Sequence, residues 1–304
     1  MANRDGTRRG ATLPQACAAI AAMGILAIIV LPMFGAARFA AGAHLAVGHA
    51  RDIASSIERM ATDTGVYAPA FRSDSPDGIT HYSAALLADG YVAHELTFTS
   101  PLVVDGGAPP MDDLAAQAER LAFTVNGAIM PPEPLAYSGT DRHYRQVVHA
   151  DTARQAKPQW TRRSEPVAPS STALVTEWYA AQDWGALMQG QMMMSHLPIV
   201  PFVGSTTGRS PEREAVAGAS VTPFEYPSVD EIFHDGEDFR EVLTSRGATD
   251  INALGRTHRT NDGQGAAWMV MLDGSARLAT PRQSVEQRLW GRAFHSITGG
   301  QGVR

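Results

Sequence analysis

Cysteine is almost missing from this chain of 304 residues: Cys17 is the single one, so no intramolecular disulfide can staple any domain. Cys17 lies near the start of an uncharged run, where it reads as a small apolar residue; a lipid-bearing cysteine would sit at the end of such a run. Basic clusters are also lacking. No run of positive charge goes beyond Arg162-Arg163 and the net charge is −6, which excludes nucleic acid as the expected partner. There is no G-x-S-x-G elbow, no phosphate-cradling glycine loop and no C-x-x-C. Ten histidines are scattered through the chain. His143 and His149, six apart, fit neither i, i+4 ligation nor H-E-x-x-H. The combinations that offer acid–base or metal chemistry are His258 with Asp273, and His143 and His149 with Glu177. Neither follows a known catalytic spacing, so the expectation is no enzyme, no catalytic residue, no cofactor and no metal.

What the chain has is a long stretch without charge. From Ala16 to Ala37 it carries Ile20, Met23, Ile25, Leu26, Ile28, Ile29, Val30, Leu31, Met33 and Phe34 among alanines. Roughly 22 residues of helix span about 33 Å, enough to cross the hydrocarbon of a bilayer. Ahead of it Arg4, Arg8 and Arg9 outweigh Asp5. This positive excess predicts a cytoplasmic N-terminus and an exported remainder. Beyond Arg38, the residues Leu45, Ile53, Ile57 and Met60 recur near multiples of a helical turn while Arg51, Asp52, Glu58 and Arg59 take other faces. One helix is therefore expected to run on and become amphipathic, stopping at Thr62-Asp63-Thr64-Gly65, where Gly65 supplies a left-handed cap. Two alternatives stay open for the same stretch. A secretory signal peptide would use Gly35-Ala36-Ala37 for cleavage, although its apolar part is normally about 7–15 residues. A twin-arginine export signal would use Thr7-Arg8-Arg9.

The segment Arg8-Arg9-Gly10-Ala11-Thr12-Leu13, the apolar helix after it and Pro32 late in that helix resemble the leader and first helix of type IV pilins and type II secretion pseudopilins. The resemblance implies cleavage by a prepilin peptidase between Gly10 and Ala11 and other pilin-like subunits as partners. Thr12 and Leu13 match the second and third mature positions, and Pro32 a helix-bending proline of the family. Two positions depart. The first mature residue, usually Phe, is Ala11, and the fifth, usually Glu, is Gln15. In the family that Glu neutralises a neighbour's terminal amine inside the membrane, where an unpaired charge is costly. Gln15 can hydrogen-bond but cannot neutralise, which points to a minor or tip position.

Further on, residues 66–82 are rich in Pro, Ser, Asp and Gly and read as an irregular connection. Tyr82 to Val92 reads as a short helix closed by Gly90, and Leu96 to Thr99 as a strand. A helix is expected over Leu114 to Leu121, strands over Ala122 to Asn126 and over Thr172 to Trp178, a helical turn over Asp238 to Leu243 and a last one around Trp290 and Phe294. Residues 131–170 and 186–235, with many prolines, read as loop insertions, and Met192-Met193-Met194 as gap-filling or partner-facing apolar surface. Near the C-terminus, Ala267 to Leu272 predicts a strand, Asp273-Gly274 a tight turn needing positive φ, and Ser275 to Leu278 the returning strand.

This last block, with the helix ending before Tyr91, the strand end at Ser100-Pro101 and a strand closing on Glu177, is similar to the large pseudopilin-like proteins of planctomycetes. Their C-terminal element is a His followed after nine residues by Asp-Gly. Here fourteen residues separate His258 from Asp273, and Gly263 occupies the shorter spacing. Either Arg259 to Asp262 includes an insertion or the histidine role is lost. The resemblance also leaves a calcium-binding loop open at Asp273. Taken together, the chain reads as α+β and pilin-like, a long N-terminal transmembrane and amphipathic helix packed on an antiparallel sheet with large loop insertions. Residues 1–10 form a basic leader, 11–64 the helix with its membrane part at about 16–37, 65–298 a periplasmic ectodomain and 299–304 a tail. The implied function is a single-pass pseudopilin-like structural subunit of a bacterial inner membrane, in a type II secretion or type IV pilus-like assembly. The alternatives are a tethered extracytoplasmic binding module and an anchored hydrolase.

Overall fold

A computed structural model of the chain describes residues 13–75, 78–110, 116–130, 161–164, 166, 168–178, 198–199, 201, 226–232 and 250–291. The leader with Gly10 and Ala11, most of both insertions with His143, His149 and Met192 to Met194, the Asp238 to Leu243 segment, Phe294 and the tail lie outside the described residues. The chain divides into two units, Met1–His44 and Leu45–Arg304.

The first unit consists, where described, of the beginning of helix α1 (Leu13–Thr64). Alanine, leucine, isoleucine and methionine favour the helix, and Pro14 sits in its first turn, where the missing N–H would have no partner anyway. Pro32 lies inside the helix and leaves the carbonyl of Ile28 without a helical donor. Leu13, Ile20, Met23, Ile25, Leu26, Ile28, Leu31, Met33 and Phe34 are all exposed. Among the described residues of the unit nothing covers the window of highest hydropathy, whose mean is 2.5. The helix is long and apolar enough to cross a membrane.

In the second unit α1 changes character. Ala46, Ala50, Ile53, Ala54, Ile57, Met60 and Ala61 are buried, at spacings of three and four that place them on one stripe. Leu45, expected on this stripe, is instead 51% exposed, and the small Ala46 and Ala50 do the packing. The stripe joins a core with Tyr67, Tyr82, Leu86, Phe98, Leu121, Phe123, Val125, Ile129, Leu174, Val175 and Val270. The helix ends as its sequence indicates: Gly65 has φ +79 and its N–H donates to the carbonyl of Ala61 at 2.9 Å.

Residues 66–82 are not merely irregular. They hold an antiparallel hairpin of β1 (Phe71–Ser75) and β2 (Gly78–His81), which runs straight into α2 (Tyr82–Ala88). Nδ1 of His81 caps α2 by accepting from the N–H of Ser83, and Gly90 closes it with φ +73. The strand expected over Leu96 to Thr99 is a 3-10 turn at Glu95–Phe98. Its closure explains the difference, because the backbone N–H and the hydroxyl of Thr99 both donate back to the carbonyl of Leu96. Residues 116–121 are extended, not helical. Ala116 accepts from the N–H of His81, the Ala118 N–H donates to Ser83 Oγ, and Leu121 exchanges backbone bonds with Ala108, so neighbouring segments take the groups a helix would use.

The main sheet has five antiparallel strands: β3 (Phe123–Val125), β4 (Ala173–Glu177), β5 (His258–Arg259), β6 (Gly265–Met271) and β7 (Ala276–Ala279), in the order β3-β4-β6-β5 with β7 also on β6. Alternation along β6 sends Val270 to the core under α1 and Ala267, Met269 and Met271 to a second core with Trp178, Ile251, Leu254 and Trp290. The β6–β7 turn forms at Asp273-Gly274, but only Gly274 takes a positive φ, +78. The Gly274 N–H donates to the Met271 carbonyl and the Met271 N–H to the Ser275 carbonyl, the pattern of a three-residue hairpin loop with a glycine bulge. A further helix, α3 (Pro281–Glu286), precedes the buried Trp290. Thr280 and Gln283 make a reciprocal capping box at its start, with Pro281 in the first position.

Candidate functional site

Two places carry the residues that the sequence singles out. The first is the C-terminal element around His258. β5 and β6 are joined by a tight turn in which the Thr260 N–H donates to the Gln264 carbonyl and Gly263, with φ +83, donates to the Thr260 carbonyl. The residues after His258 thus form a hairpin loop of their own, and His258 pairs with Ala266 across it.

His258 and Asp273 do not meet. Ala266, opposite His258, and Asp273 are seven residues apart along an extended strand and its turn, roughly 20 Å at strand spacing. Asp273 is exposed, and its Oδ1 accepts from the N–H of Ser275 at 2.9 Å and from the hydroxyl of Ser275 at 2.6 Å. These two bonds hold its carboxyl below the usual carboxylate range.

The partner of His258 is Glu177. Its Oε1 lies 2.9 Å from His258 Nε2, with 2% and 5% of the two side chains reaching solvent. The other oxygen, Oε2, accepts from the backbone N–H of Trp268 at 2.9 Å. The sheet explains this bond: the pairing of β4 with β6 runs out at Thr176 and Met269, so the N–H of Trp268 finds its acceptor in the side chain at the end of β4. The Trp268 ring stands edge-on to the imidazole, with centroids 6.1 Å apart. On the other side the N–H of Gly255 donates to the Glu177 carbonyl, and a Cβ at Gly255 would lie only 3.1 Å from the carbonyl oxygens of Glu177 and Trp178. With both carboxylate oxygens engaged and the pair closed off from water, Glu177 and His258 cross-link the end of β4 to β5 and β6. The sequence put His258 forward with Asp273, whereas the structure places it against Glu177; the combination of Glu177 with His143 and His149 lies outside the described residues.

The second place is the part of α1 that lies in the second unit, where polar side chains fasten it to the rest of that unit. His49 Nδ1 donates to the Thr99 carbonyl at 2.8 Å. The Ser56 hydroxyl and the Arg59 guanidinium both donate to the Tyr91 carbonyl, and the Tyr91 hydroxyl donates to Asp63 at 2.8 Å. Glu58 accepts from the Tyr67 hydroxyl at 2.5 Å and faces Arg163 Nε at 3.4 Å. Burial first, and then Glu58, push the Tyr67 hydroxyl well above its ordinary value. Gln15 is exposed near the other end of α1. Among the described residues no three His, Cys, Asp or Glu side chains gather to hold a metal ion. No protein-family model, no curated protein and no solved structure matches this chain.

Proposed function

We propose that this chain is a membrane-anchored, pilin-like structural subunit. The observation that carries the reading is helix α1 (Leu13–Thr64) itself, whose beginning exposes a charge-free apolar surface while its end is built into a folded, sheet-containing unit. The uncovered apolar surface suits lipid, and burying it there offsets about 25 cal/mol for each Å² removed from water. Arg4, Arg8 and Arg9 favour a cytoplasmic N-terminus in a bacterial inner membrane, with the sheet-bearing unit in the periplasm. On this reading a prepilin peptidase cuts between Gly10 and Ala11, the helices of several pilin-like subunits bundle in the bilayer, and the heads form part of a short secretion or pilus-like fibre. Gln15 in place of the expected carboxylate suits a minor or tip subunit, which has no neighbour whose amine it must neutralise. The cross-linked sheet and the fastened helix give such a head the rigidity that a mechanical role needs. Mass spectrometry of the mature N-terminus tests the proposal. It expects an N-methylated Ala11; a terminus beyond Ala37 identifies an ordinary exported protein and overturns it.

A further inference from the structure

We draw no further inference here: the strongest candidate, the surface patch at Leu96, which is 72% exposed on the 3-10 turn Glu95–Phe98, carries nothing because nothing in the structure shows what covers it.

Discussion

Replacing Glu177 by alanine removes one side chain and strands two donors. Nε2 of His258 and the N–H of Trp268 both lose their acceptor in a place where water does not replace it. Each buried group left unsatisfied costs about 1–3 kcal/mol. The sum agrees with the roughly 3–5 kcal/mol expected for breaking a buried pair by removing one partner. A head of this size shifts its Tm by about 2–4 °C per kcal/mol, so Glu177→Ala is expected to lower Tm by roughly 6–20 °C. Glu177→Gln keeps the shape and one oxygen but turns an amide toward one of the two donors, and is expected to cost less, about 1–3 kcal/mol. Thermal and urea unfolding of the detergent-solubilised full chain, followed by near-ultraviolet circular dichroism, reads these differences. The single variants Glu177→Leu and His258→Leu, with their double variant, form a cycle whose coupling should exceed about 0.5 kcal/mol, since the residues touch. A Glu177→Ala protein within about 0.5 kcal/mol of the parent, or strictly additive single variants, would refute the assignment of this pair as the cross-link of the sheet.

Other perturbations probe separate parts of the fold. Ser275→Ala should raise the Asp273 carboxyl toward its ordinary value, since Ser275 is the first cause of its depression; carbon-detected NMR titration checks this, and an unmoved midpoint counts against it. Because the folded group is held below its unfolded value of about 3.9, the stability it supplies is present above that pH and is lost as pH falls. Tyr82 is buried, donates to the Phe123 carbonyl at 3.0 Å and is held protonated by burial. Its folded value is raised, so its contribution is complete below about pH 10 and is lost as pH climbs above that. Tyr82→Phe should therefore cost about 1 kcal/mol at neutral pH while delaying alkaline unfolding, as read by tyrosinate absorbance. Ile57→Ala opens a cavity under α1 and should cost about 2–5 kcal/mol, whereas Leu26→Ala, on the uncovered apolar surface, should leave the unfolding of the head unchanged.

The legible parts of this chain were those set by local chemistry. The helix shows in the absence of charge from Ala16 to Ala37, and its stop shows in Gly65, because only a residue at ease with positive φ caps there. The β6–β7 hairpin announces itself through Asp273-Gly274 between two apolar runs, although the loop is one residue longer than a two-residue turn. Helix α3 is not among the elements expected from the sequence, although Thr280, Pro281 and Gln283 spell a capping box with proline in first position. What stayed hidden was set by tertiary partners. Leu96 to Thr99 alternates like a strand, yet the Thr99 hydroxyl, folding back on the Leu96 carbonyl, closes a turn instead. β1 and β2 are short and polar, and their pairing with each other leaves no apolar period to read. Glu177 and His258 stand 81 residues apart, and only the order of the strands in the sheet brings them together.

The anchoring of α1 is tested most directly by alkaline carbonate extraction of cell membranes, followed by intact mass measurement of the recovered chain. The expected result is a chain that stays with the lipid pellet and retains Leu13 to Phe34. Recovery in the soluble fraction, with a mass that begins beyond Ala37, would contradict it.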